Sequence, residues 1–150
     1  MADAEIAEII ESHREWLAIE RAKQRPRLRL DPRHISEVEA RRAARELVAM
    51  LIDEEAPEIG VEPVRVQIRD QRSRWGSCST RGTLSFNWRL VLAPFDVLDY
   101  VVVHELCHLL EPNHSRRFWK LVEQRRPDWR AQRDWLHEHG PELLAFRPAA

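Results

Sequence analysis

The segment His104-Glu105-Leu106-Cys107-His108 lies inside a run from Phe95 to Leu110 that holds neither Gly nor Pro. Val102, Val103, Leu106, Leu109 and Leu110 surround it, so the run reads as a central helix buried on nearly every face while carrying titratable groups. At 100° per residue, with His104 at 0°, Glu105 falls at about 100° and His108 at about 40°, which places all three on one face. A buried His-Glu-His stripe demands compensation, and a metal ion supplies it. Two imidazoles one turn apart can grip one zinc, while the carboxylate between them reaches a water on the metal rather than the metal itself. A shuffled chain of this composition would hold about 0.04 such motifs, and chance His and Glu belong on exposed helices rather than in an apolar one.

The 150 residues favour one domain, 1–150, with an N-terminal helix and basic connector over 1–34 and a catalytic core over 35–140. Ile6, Ile9, Ile10, Trp16 and Leu17 recur at helical spacing between Ala4 and Lys23, and Gln24 to Arg33 reads as an extended connector with two prolines. Ser36 and Glu39 form a capping box for a helix to Ala56, which Pro57 and Gly60 end. Val64, Val66 and Ile68 alternate with polar residues, and Thr83 to Trp88 alternate again after a turn, so a small antiparallel sheet is expected. Pro112 stops the central helix, Ser115 caps a further one through Arg126, and Pro127 opens another through His137, ended by Gly140-Pro141. The expected fold class is therefore α+β, with the sheet packed on the central helix and other helices flanking it.

Two cysteines suit a reducing compartment, the apolar runs are too short to span a bilayer, and the acidic start lacks the basic head of a secretory signal; a cytoplasmic protein is expected. The formal net charge of −1 excludes a strongly basic whole-chain field, although Arg65, Arg69, Arg72 and Arg74 could line one strand face.

His114 follows His108 by six residues, and Glu111-Pro112-Asn113 can turn the chain back toward the metal. That is the metzincin spacing, but Glu111 stands where those enzymes place a glycine, and no Met lies downstream of Met50 for their Met-turn. Asp128, twenty residues after His108, competes as a carboxylate ligand; its position beside Pro127 also suits a helix start, so His114 is favoured.

Arg74-Trp75-Gly76-Ser77-Cys78, Gly82-Thr83-Leu84, Asn87-Trp88-Arg89-Leu90, Ala93-Pro94, Asp99 to His108 and Asn113 to Trp119 together resemble the YgjP-like family of zinc metallopeptidases, distantly similar to SprT-like and Wss-type proteases. The resemblance runs from about Val64 to Gly140. It implies a zincin-like fold, Zn2+ held by His104, His108 and His114, and Glu105 as the catalytic base assisting attack of water on a peptide bond. The transition state needs another donor beside the metal, for which Arg74, Asn87, Asn113 and Tyr100 are candidates. Tyr100, at about −40° on the ligand face, reads rather as orienting a ligand, and Asp99 has the same two readings. Cys107 and Cys78 are expected to be structural, and Trp119, Trp129 and Trp135 to be core. His13, His34, His137 and His139 lack ligand spacing and read as surface residues.

The leading expectation is thus a peptidase whose partner is a peptide or protein, bound extended along Thr83 to Trp88 as a sheet edge. A DNA-associated protease acting on bound or crosslinked proteins, and a zinc-stabilised module without turnover, are the alternatives. The near-neutral charge disfavours nucleic acid, and no membrane contact is expected.

Overall fold

The computed structural model describes residues 35–148; the expected N-terminal helix, the basic connector, His13 and His34 lie outside them. Among the described residues, four helices and a three-stranded sheet follow one another as α1 (Glu37–Ile59), β1 (Arg65–Arg69), β2 (Gly76–Cys78), β3 (Thr83–Asn87), a 3-10 turn (Trp88–Leu92), α2 (Phe95–His108), α3 (Arg116–Arg125) and α4 (Trp129–Ala145).

Both serine caps form. Ser36 accepts from the Glu39 amide at the head of α1, and Ser115 from the Phe118 amide at the head of α3, each satisfying a donor that has no partner within its helix. Two stop signals act later than expected. Pro57 is absorbed into the last turn of α1, which runs on to Ile59 before Gly60 closes it at φ 85°, a left-handed conformation that suits glycine. Gly140 and Pro141 do not end α4, which continues to Ala145. Packing overrides propensity there: Gly140 is buried against the Trp75 indole, where a Cβ would stand 3.3 Å from Nε1.

The sheet is mixed rather than antiparallel. Its strand order is β1-β3-β2, with β1 parallel to β3 in the register Arg65 to Thr83 and β2 antiparallel to β3 in the register Gly76 to Phe86. The turn Ser79 to Gly82 joins β2 and β3 as a hairpin, whereas the loop after β1 carries the chain across to the far edge. Alternation reveals that a strand exists but not which way its neighbour runs. Thr83 to Asn87 is consequently the central strand, buried over its last four residues, and not an edge. This corrects the expectation that a substrate pairs along Thr83 to Trp88: those main-chain groups already serve β1 and β2.

The core gathers Leu51 from α1, Leu84 and Phe86 from β3, Val102, Val103 and Leu106 from α2, Phe118 and Val122 from α3, and Trp129 from α4. Trp119 packs half-buried against this core; Trp135 is half-buried on α4, its ring centroid 4.9 Å from that of His139. No described helix is long and apolar enough to cross a membrane.

Candidate metal centre

Helix α2 carries His104 and His108 one turn apart, and the turn after it delivers His114. The three Nε2 atoms form a triangle with sides of 3.2, 3.0 and 3.2 Å. A tetrahedral ion with bonds of 2.0–2.1 Å sets its nitrogens about 3.3 Å apart, so the triangle fits a zinc-sized ion to within a few tenths of an ångström. Among the described residues this is the one grouping of three or more His, Cys, Asp or Glu that could hold a metal.

The chemistry of the donors agrees with the distances. His108 Nδ1 stands 3.0 Å from the Glu111 carbonyl, which can only accept, so Nδ1 carries the proton and Nε2 presents a lone pair to the centre. The Tyr100 hydroxyl lies 3.3 Å from His104 Nδ1 and can accept from it in the same way. Burial depresses His104 to about 3, with the neighbouring His108 and His114 adding to the effect, and lowers His108 below the ordinary imidazole range despite its Glu111 hydrogen bond. Both imidazoles are therefore neutral near pH 7, as ligands must be. Aromatic rings hold the triad from behind: His108 lies flat on Phe118 with centroids 4.2 Å apart, and Trp119 stacks in turn on Trp129 at 4.2 Å.

Glu105 stands beside this triangle without joining it. Its Oε1 is 3.8 Å from His104 Nε2, the residue is buried, and Oε2 has no hydrogen-bond partner among the described residues. Burial raises its carboxyl to about 7, with Arg74 pulling partly the other way. A carboxylate that titrates near neutrality can both take and return a proton. β2, an edge strand among the described residues, covers it, Gly76 lying against its side chain.

The remaining expected site residues do not join the triangle, although Arg74 is near enough for its charge to act on Glu105. Asp128 is exposed, accepts from Gln132 at 3.1 Å and is absent from the histidine grouping. Asp99 is engaged by Arg126, whose Nε and Nη2 both donate to it, Nη2 at 2.9 Å; Nη2 also donates to Glu55 at 2.8 Å and Nη1 to the Arg125 carbonyl. Asn87 is buried and donates to the carbonyls of Gln71 and Arg74 at 2.7 and 3.0 Å, which ties down the loop before β2. Asn113 and Arg74 are exposed, as are Arg65, Arg69 and Arg72. Cys107 is fully buried, its thiol pushed up to about 12 by burial; Cys78 is half-buried on β2; His137 and His139 are exposed. Sequence reasoning overlooked the Glu111 carbonyl, Phe118 and Gly76. The Ser115 cap that sets α3 in register was the one available sign of Phe118; a backbone carbonyl and a glycine leave none.

A titratable helix stripe, a third histidine from the following turn and a small sheet laid over the intervening carboxylate define a metallopeptidase of the H-E-x-x-H kind. The chain belongs to the YgjP-like family: the family described as "YgjP-like, metallopeptidase domain" matches residues 31–139. It is a hydrolase with a metal cofactor and a protein substrate. Among solved structures it is similar to the metallopeptidase zymogen of Pyrococcus abyssi abylysin, with 25% identity and a TM-score of 0.54 over 62% of this chain and 92% of that one. The metallopeptidase zymogen of Methanocaldococcus jannaschii jannalysin shares the fold, with 18% identity and a TM-score of 0.54 over 61% of this chain and 94% of that one. No curated protein matches the chain.

Proposed function

We propose that this chain is a zinc endopeptidase in which His104, His108 and His114 hold the ion and Glu105 handles the proton. The observation that carries the reading is the Nε2 triangle with a buried carboxylate 3.8 Å from one corner. Zinc bound there would polarise the scissile carbonyl and acidify water toward neutral pH. Glu105 takes the proton of the attacking water on its free oxygen and returns it to the leaving amine, the general-base role open to a buried carboxylate beside the ion. Tyr100 keeps the His104 ring turned so that Nε2 faces inward. β2, an edge strand among the described residues and in contact with Glu105, offers main-chain groups to an extended peptide. Pairing of that kind makes few demands on side chains, so cleavage is loosely specific.

The test is a metal analysis joined to a peptide-library cleavage screen, with and without single-stranded DNA. One zinc per chain, cleavage lost to a chelator and restored by zinc, and indifference to DNA are expected. Zinc without cleavage of any peptide overturns the reading in favour of a structural module. Cleavage confined to DNA-containing reactions and weakened by salt overturns it in favour of a DNA-associated protease.

A further inference from the structure

Gly76 opens β2, and its backbone does not need to be glycine. Among the described residues only Gly60 and Gly82 adopt positive φ, so the lack of a side chain at Gly76 answers to space and not to conformation. A Cβ built there would stand 2.9 Å from Cγ and 3.3 Å from Cδ of Glu105, and 3.2 Å from the Ser85 carbonyl oxygen. The shortest of these is closer than carbon atoms tolerate, and Cγ is the root of the carboxyl group rather than a mobile tip. We propose that Gly76 is a positioning residue for Glu105, the missing side chain being the slot in which the carboxylate of the base lies.

The two sides of this contact are unequally held. Gly76 is fixed by the ladder to β3, opposite Phe86, and the next residue but one, Cys78, is paired with Leu84. The Glu105 carboxylate has an oxygen with no hydrogen-bond partner among the described residues, so it is the side that yields to an added methyl. Displacement of a reacting group by about 1 Å can cost on the order of a hundredfold in rate. Gly76→Ala should therefore act on proton transfer while the three imidazoles, none of which is among the nearest neighbours of that Cβ, keep their ion.

The proposal rests on Glu105 being the base, and the experiment separates the two claims. Parent, Gly76→Ala, Glu105→Ala and the double variant are compared for zinc content and melting temperature, and the first two also for kcat and KM. Expected for Gly76→Ala are one zinc per chain, kcat lower by on the order of a hundredfold, and KM within about twofold. Its loss of melting temperature should largely vanish in the Glu105→Ala background, where Cγ is gone. An equal loss in both backgrounds, a failure to fold in both, an unchanged kcat, or loss of zinc would each overturn the proposal, since the first two put the strain at Ser85 and the last in the ligands. Folding only in the double variant would support it. The melting cycle reads the contact itself, so it stands even where full activity of Glu105→Gln would remove the base.

Discussion

His114 lies over Trp119 with the ring planes 23° apart and the centroids separated by 5.8 Å. The third histidine is thus supported by a side chain of α3 and has its Nε2 3.0 Å from that of His108, whereas Asp128 sits exposed at the head of α4. His114→Ala should lose bound metal by a large factor, and Asp128→Ala should keep it, as read by metal analysis after dialysis. The reverse pattern would assign the third ligand to the carboxylate.

Glu105→Gln keeps the shape of the side chain and one acceptor oxygen but cannot take a proton at neutral pH. Metal content should be unchanged and peptide hydrolysis should fall by roughly a hundred- to ten-thousandfold. Hydrolysis at the parental rate would remove Glu105 from the chemistry, and loss of metal would make it a ligand.

The same substitution has a signature in the metal-free protein. The Glu105 carboxyl ordinarily titrates near 4.5 and is raised by burial to about 7, so between these values the native state holds a proton that the unfolded chain has released. The parent's stability from this group is full below about pH 4.5 and falls as pH rises through 7, by roughly 3 kcal/mol. The glutamine variant lacks this loss. With a chelator present, its melting temperature should exceed the parent's by a margin that widens from pH 4.5 to 7 and then stays flat; His104 and His108 affect both proteins alike. A margin independent of pH would contradict the buried charge.

Arg126 donates to both Glu55 and Asp99, joining α1 to α2 from the C-terminal end of α3. The Glu55 side chain is fully buried, and Arg126 and Arg125 outweigh the burial that would otherwise raise its carboxyl. Arg126→Ala leaves two carboxylates without their shared cation and should destabilise by about 3–5 kcal/mol. Arg41→Ala, which breaks a half-exposed pair with Glu37 at 3.7 Å, should cost less than about 1 kcal/mol. Denaturant unfolding compares them, and equal small losses would refute the claim that the network holds the helices together.

What could be read from the sequence was what repeats over a few residues. The His104, Glu105 and His108 stripe, the caps at Ser36 and Ser115 and the six-residue step to His114 are local, and each appears in the structure as a local object. Strand direction is not local, because nothing in Val64 to Ile68 records that the chain crosses over before returning as β2. Asp99 sits one residue before Tyr100 on the same helix and looked equally able to serve the site; its partner Arg126 is 27 residues away, and Glu55 meets that arginine across 71. Gly140 and Pro141 gave a correct account of intrinsic preference and a wrong helix end, since contact with Trp75 decides there.

All three histidines of the centre fall within the eleven residues from His104 to His114, and the first two need only one helical turn to face each other. An unfolded chain therefore retains most of a chelating peptide, so a metal held by the native centre also finds these imidazoles before folding. Metal then stabilises the native state by less than its native affinity alone implies, because part of the binding energy is already available before folding.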